Sequence, residues 1–549
     1  GEFYSEFGSF DVSVSLPRNY YLAATGDRVD AKEEEAFILN RVSHTLKRIA
    51  NDELSTEDTK FPESDSQYKT VRFVQSKVHD FAWFADKRFY VLNGQVQMPG
   101  SGRKVDTWVY FTGSRFSLWK DAVEYVNRAA LLYSELVGDY PYNHITAVDG
   151  TIMAGGGMEY PNITVIGEPS GKRDLEITIA HEVGHNWFYG MLASNERNHA
   201  FLDEGVNSYY EMRYSRKYYD TSKFTDYVGL DSNSRFLGIN KTPIWKDKEI
   251  GWTYTVRSRT EQPIDLSSEQ FSSTNYGTIV YGKTPLVLDY MADYVGQDKF
   301  DYAMRQYFAA YKFKHPDPDA FFETLARGTG TDMQIFREGL FNSTRRIDYK
   351  ISGLHKKGTE NYVLKIKNKG NLALPFSVDF KDGQGKLSRQ WFDGFTGTRR
   401  VMIAAPGSKN ITIDAAEKMP DADRRNNSIR TEGLFKKRRP LQLRLLTALE
   451  SNENKQLFYF PMLNANFYNG LIPGLVIHNY GLYKKRCEFF VIPGYGFRSK
   501  APAGLAQADI NLFPRRIIQQ ITLGVKGRAF AYDNFRTDIL NRLNGTNFK

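Results

Sequence analysis

The stretch Glu176–Gly190, EITIAHEVGHNWFYG, places His181 and His185 four residues apart, with Glu182 beside the first of them. Four residues is about one helical turn. On a helix both imidazoles therefore project from one face and reach a single ion. Glu182 is then in position to hold a water on that ion. The spacing asks for a helix here, over about 174–192. A bare H-E-x-x-H also arises by chance, so the rest of the chain has to support it.

Eighteen residues separate His185 from Glu204 in FLDEGVNSYYE (201–211), room for a helix end, a turn and the start of a second helix. A carboxylate there completes a His, His, Glu set and leaves a fourth position for water, as a catalytic zinc site requires. Taken alone, Glu204 also fits an exposed acid at a helix N-terminus. Glu211 lies two helical turns further along the same face and is the expected partner for a ligand imidazole, with Asp203 as the second candidate. GGGMEYPNIT (155–164) sets Gly155, Gly156 and Gly157 ahead of Met158 and Glu159 in a strand-like context. Bare backbone there can approach an extended substrate, and Glu159 offers a negative charge. A glycine-rich hairpin with a solvated acid explains the same letters. In NYGTIVYGKTPLVLDYM (275–291), Tyr281 precedes a helical run, with Tyr276 five residues earlier. A phenol near the ion would donate to a developing oxyanion, but with 34 tyrosines position alone does not select it. The other seven histidines lack this spacing, and His199 reads as a surface or supporting residue.

Outward from this centre, the chain reads as multidomain. Residues 1–105 are β-rich: FDVSVSLP and KRFYVLNGQVQMPG alternate with period two and close on Pro and Gly. Between them KEEEAFILNRVSHTLKRIANDE is a short helix or an excursion. Residues 106–347 read as an α+β block, with helices expected near 204–219, 283–295 and 319–327 as well as at the motif. Residues 348–416 read as a small Ig-like β-sandwich. Its Asp382-Gly383 is a hairpin turn rather than a calcium loop, whose ligand pattern is missing. Residues 417–440 read as a polar linker, and the run Lys436, Lys437, Arg438, Arg439 within it as solvated. Residues 441–549 are aromatic-rich strands between turns, which fits an incomplete antiparallel outer-membrane-barrel-like segment or a soluble antiparallel sheet equally well.

With 549 residues, 41% hydrophobic and 25% charged, the chain has the composition of folded material. The net charge of +9 is not accompanied by a nucleic-acid-binding motif, so nucleic acid is not an expected partner. One cysteine, Cys487, excludes an internal disulfide. No apolar run is long enough for a transmembrane helix. The chain opens at Gly1 in what reads as a strand, without an initiator Met, and is taken as a fragment or a mature form.

Together these segments resemble peptidase family M1, zinc aminopeptidases of the gluzincin type with an H-E-x-x-H-x18-E pattern. GGGMEY is similar to that family's exopeptidase motif, usually G-x-M-E-N, and VYGKTPLVLDYM to its tyrosine segment. The resemblance covers residues 1–347. It implies a thermolysin-like catalytic domain over 106–347, following a β-rich remnant. It also implies one Zn2+ per chain on His181, His185 and Glu204, with Glu182 as general base and Tyr281 stabilising the tetrahedral intermediate. Gly155, Gly156, Gly157 and Met158 would line a peptide substrate, and Glu159 would bind its free α-amine, so that N-terminal residues are removed. Two features depart from the family. Tyr160 stands where the motif usually has Asn, and residues 1–105 look like only the end of the N-terminal β-domain. The tail, from TEGLFKK to NYGLYKKRCEFFVIPGYGF, resembles extensions of envelope M1 peptidases of Bacteroidetes-type bacteria, in which an outer-membrane-like barrel follows. That implies a chain cut at both ends and a place in the cell envelope of a Gram-negative bacterium, periplasmic or associated with the outer membrane. Two rival readings stay open: an endopeptidase using the same zinc site, and an envelope peptide-binding scaffold with weak turnover.

Overall fold

The computed structural model describes residues 3–53, 61–150, 152, 156–221, 242–358, 360–514, 518 and 520–531. Gly155 lies outside them.

The N-terminal part is built from β1 (Gly8–Pro17), β2 (Tyr21–Ala24), β3 (Asp27–Val29), β4 (Tyr68–Val78) and β5 (Trp83–Asp86). They form a three-stranded sheet in the order β1-β4-β3 and a β2-β5 pair. The charged segment left open above is a helix, α1 (Lys32–Ala50). Glu33, Glu34 and Glu35 stand in its first turn and Lys47 and Arg48 in its last, matching the helix dipole.

The central sheet comprises β6 (Tyr90–Gln97), β7 (Lys104–Phe111), β8 (His144–Asp149), β9 (Gly157–Tyr160) and β10 (Ile163–Ile166), in the order β6-β7-β8-β10-β9. The expected boundary at residue 105 therefore falls inside a hairpin. β6 and β7 pair from Tyr90↔Phe111 to Gln97↔Lys104, so residues 90–97 belong to the central layer. Its helices are α2 (Ala122–Leu136), α3 (Lys172–Gly184), α4 (Glu204–Tyr219), α5 (Asp247–Ser258), α6 (Thr284–Val295), α7 (Gln297–Tyr311) and α8 (Pro318–Thr329). The helix expected over 174–192 stops at Gly184, and the chain turns there, with Asn186 N–H and Trp187 N–H bonding back to Val183 and Gly184.

Close helix packing accounts for two motif glycines. A Cβ on Gly184 would overlap Asn207 Oδ1 and the Tyr133 hydroxyl, and one on Gly205 would lie 2.6 Å from Thr284. Tyr133 donates to Asn207 Oδ1 (2.7 Å), and Asn207 Nδ2 donates to the His181 carbonyl (2.8 Å). The Trp187, Tyr133, Phe188 and Tyr210 rings pack behind this contact, all fully buried.

Residues 349–430 form two facing sheets with one core. One holds β11 (Tyr349–Lys357), β12 (Asn361–Asn368) and β15 (Thr398–Ala404). The other holds β13 (Phe376–Lys381), β14 (Leu387–Phe392), β16 (Asn410–Ile413) and β17 (Ser428–Arg430). The stretch expected to be a linker is therefore largely folded: β17 pairs with β16, and Arg424 is buried against Asp414 at 2.5 Å. In its first part Glu417, Lys418, Asp423, Arg424 and Arg425 serve ion pairs rather than solvation. Asp382 Oδ1 accepts from Gln384 N and Lys386 N, a hairpin turn.

The last described strands, β18 (Leu441–Leu445), β19 (Lys455–Asn466), β20 (Gly470–His478), β21 (Cys487–Gly496), β22 (Ala501–Leu512) and β23 (Ile521–Ala529), form one six-stranded sheet in sequence order. It is not purely antiparallel, because β18 runs parallel to β19.

Candidate metal centre and active site

Helices α3 and α4 bring the motif residues to one point. His181 and His185 are Nε2 to Nε2 at 3.1 Å, and Glu204 Oε2 lies 3.2 Å from each. Carboxylates hold the outer nitrogens: Glu211 Oε2 is 3.0 Å from His181 Nδ1, and Asp203 Oδ1 is 2.7 Å from His185 Nδ1. Both candidates for orienting an imidazole are thus in place, one per histidine. Each Nδ1–H donates to its carboxylate, which leaves both Nε2 lone pairs facing inward.

This arrangement tests whether a metal ion fits. Two acceptor nitrogens and a carboxylate oxygen face one another within 4.8 Å, all buried. A cation is what reconciles three lone-pair donors at that spacing. The surrounding acids ask for positive charge as well. Burial alone would lower the histidine pKa values. The hydrogen bonds of Glu204 and Glu211 overcome this and raise His181 to about 10, and the charges of Asp203, Glu159 and Glu204 raise His185 well above its usual value. The residues present fit a single bound metal ion.

Glu182 is buried beside the triad, with Oε2 lacking any hydrogen-bond partner. Burial, with Glu204 and Asp203 adding to it, pushes its pKa to about 7 against the pull of the two histidines. A Cβ on Gly157 would overlap the Glu182 carboxylate, so this glycine is what lets Glu182 stand against β9.

β9 is the last strand of the central sheet and pairs only with β10 among the described residues. Gly156 precedes it, and Gly157, Met158 and Glu159 lie on it. Its outer edge has the geometry to accept an added strand. Glu159 is buried, and its carboxylate lies within 4.8 Å of His185 and Asp203 ligand atoms; burial raises its pKa. Tyr160, on the opposite face of the strand, packs on Phe3 and Phe84.

Tyr281 sits in a π-helical segment, Tyr276–Lys283, a local irregularity that often marks functional positions. Its hydroxyl donates to Glu204 Oε1. His199 is bonded to Asp265 (2.6 Å) and contributes no ligand atom to the cluster.

Sequence reasoning missed Lys248 and Glu196. Lys248, from α5, pairs with Glu211 at 3.1 Å. Glu196 is buried, accepts from Phe3 N–H (2.9 Å) and has its pKa raised by burial and by Asp203. Neither lies at motif spacing from the ligands, so no local signal in the sequence picks them out.

Two histidines from one helix and a glutamate from the next, with an acid beside the first histidine, define the gluzincin class of single-metal hydrolase sites. Residues 130–339 match the peptidase family M1 domain, so this central stretch is similar to the M1 peptidases. Leucine aminopeptidase 2-1 of Meyerozyma guilliermondii is 27% identical over 177 residues, 31% of this chain and 26% of that protein. Human endoplasmic reticulum aminopeptidase 2 is 24% identical over 198 residues, 34% of this chain and 19% of that protein. The matched stretches thus span about a quarter or less of these relatives. The fold is similar to that of Legionella pneumophila aminopeptidase A, solved in complex with aspartic acid. The TM-score is 0.55 at 13% sequence identity, covering 78% of this chain and 45% of that one.

Proposed function

We propose that the chain removes N-terminal residues from peptides, using one zinc ion held by His181, His185 and Glu204. The observation that carries the amino-terminal specificity is the buried Glu159 on the free-edged strand β9, beside the histidine pair. Bound zinc would supply a Lewis acid that activates water and polarises the scissile carbonyl. A peptide adds to β9 through its backbone at Gly156 to Met158, which aligns its first residue with Glu159. The carboxylate of Glu159 pairs with the α-ammonium, and an acetylated terminus has no charge to offer it. Glu182 takes the proton of the attacking water and passes it to the leaving amine. The Tyr281 hydroxyl donates to the developing oxyanion. Asp203 and Glu211 hold the imidazoles in the tautomer that keeps their lone pairs inward.

The test is a panel of aminoacyl reporter substrates with and without a chelator. Hydrolysis that is lost with chelator and restored by zinc is expected. Acetyl-capped peptides cut as fast as free-amine peptides would turn the reading to an endopeptidase, and zinc binding without any turnover would turn it to a scaffold.

We also propose that the C-terminal sheet meets a lipid bilayer, which would place the chain at the outer membrane of a Gram-negative envelope. The register supports this. Leu445 pairs with Tyr459, Tyr459 with Ile477, Ile477 with Val491 and Ile510 with Leu523, so apolar side chains from all six strands share one face. Leu443, Leu463, Leu523 and Val525 are exposed on it. The opposite face carries Gln507, Asp509, Asn511 and Lys526, the alternation of lipid-facing barrel strands. Leu443→Lys together with Leu523→Lys should reduce co-flotation with phosphatidylcholine vesicles; unchanged flotation argues for a soluble sheet.

A further inference from the structure

The sandwich carries a cleft of about 860 Å³, remote in sequence from the metal centre, and nine Lys and Arg residues line it against five Asp and Glu. We infer that this cleft binds a phosphate-bearing polyanion.

Four of its five acids are already engaged. Asp379 pairs with Arg389, Asp414 with Arg424 and Glu417 with Lys246, while Asp382 caps its own turn. Most of its cations are not. Lys381, Lys409, Arg430, Lys436, Lys437 and Arg438 form no ion pair among the described residues. Several are held by backbone carbonyls instead, which fix a cation without neutralising it. Arg430 Nη2 donates to the carbonyls of Phe435 (3.3 Å) and Arg438 (2.8 Å), Lys437 to that of Ser352, and Arg439 Nη1 to those of Ser451 (3.0 Å) and Asn454 (3.2 Å). The run that reads as solvated linker is thus one wall of a concave, positively charged site. Two turns close one end backbone to backbone, since a Cβ on Gly407 would lie 2.9 Å from Gly383 Cα.

Fixed guanidinium forks and ammonium groups around one volume suit several phosphate oxygens at once, because each arginine can grip phosphate bidentately. The volume falls within the usual ligand-pocket range of roughly 300–1,000 Å³. Leu434 and Phe435 stand exposed beside the run, so an anionic headgroup with a nearby apolar chain fits, as does a free oligophosphate.

The test titrates the full chain with sodium tripolyphosphate by calorimetry. In parallel it is sedimented with phosphatidylcholine vesicles, with and without phosphatidic acid. Expected is tripolyphosphate binding, or vesicle binding that phosphatidic acid enhances, weakening steeply with salt. Response to vesicles alone assigns a lipid headgroup, and response to tripolyphosphate a soluble ligand. Lys409→Glu with Lys437→Glu, both exposed, should weaken binding at least about tenfold at an unchanged melting temperature, while Lys409→Arg with Lys437→Arg should keep it. No response to either phosphate probe, or equal binding by the charge-reversed variant, overturns the inference. Its outcome does not depend on whether peptides are cut.

Discussion

Glu182 is a buried carboxylate with one oxygen unpartnered, pressed against Gly157, where any Cβ would overlap it. Such a group is costly unless it has work to do. Glu182→Gln should therefore lower kcat by roughly 10²–10⁴-fold while zinc stays bound, measured as turnover beside metal content. Gly157→Ala tests the same contact from the other side. Its methyl group must displace Glu182, so kcat should fall with metal content intact; loss of zinc instead would mean that the glycine supports the ligands. On the proposed function the outer carboxylates, bonded to His181 and His185, act on the metal rather than on the proton. Asp203→Asn and Glu211→Gln should each weaken zinc affinity by about 10–100-fold, read by competition with a chelator. The Asp203 change should cost more, because that side chain is fully buried against His185.

At the scale of elements, α3 and α4 were legible because their chemistry repeats with the helix. Residues four apart share a face, and Glu204 and Glu211 lie two turns apart on another. That periodicity marks Glu211 as a partner for a ligand imidazole, and the structure shows the imidazole to be that of His181. What was not legible depends on contacts between elements. Helix α5, DKEIGWTYTVRS, has no clean apolar period, since its faces meet different neighbours. Lys248 meets Glu211, Gly251 meets Thr278 of the Tyr281 segment, and Glu249 meets Arg424 of the sandwich. The reach of Tyr281 to Glu204 is set by a π-helical turn that no spacing rule announces. The hairpin joining β6 to β7 hid the domain edge, because alternating strands look alike on either side of a boundary. Packing behind the motif helix is open to the same kind of test. Trp187→Ala removes a fully buried ring from the stack on Tyr133 and should cost about 3–5 kcal/mol of stability, seen in chemical denaturation.

Across the whole molecule, α5 is where the catalytic layer, the sandwich and the C-terminal sheet converge. Glu249 binds Arg424 and Lys246 binds Glu417, while Arg257 binds Glu450 and Tyr483 donates to the Ile250 carbonyl. Burial opposes the charge of Glu417, but Lys246 and Arg424 hold its pKa at about 2, below the ordinary 4.5. A depressed carboxylate contributes stability above its unfolded value, and that contribution is lost as pH falls from about 4.5 to about 2. Glu417→Gln should therefore melt below the parent at neutral pH, and the gap should close over that acid window; a gap independent of pH would assign the loss to packing. Lys248 extends the same helix to Glu211 and so to His181. The catalytic layer is consequently not portable. Residues 1–347 expressed alone would keep every proposed ligand and lose the masonry behind one of them, with Arg257 stripped of its partners and Lys246 and Glu249 left only with each other. Such a piece would be inherited or grafted at the expense of its grip on the ion, through His181 first and His185 last.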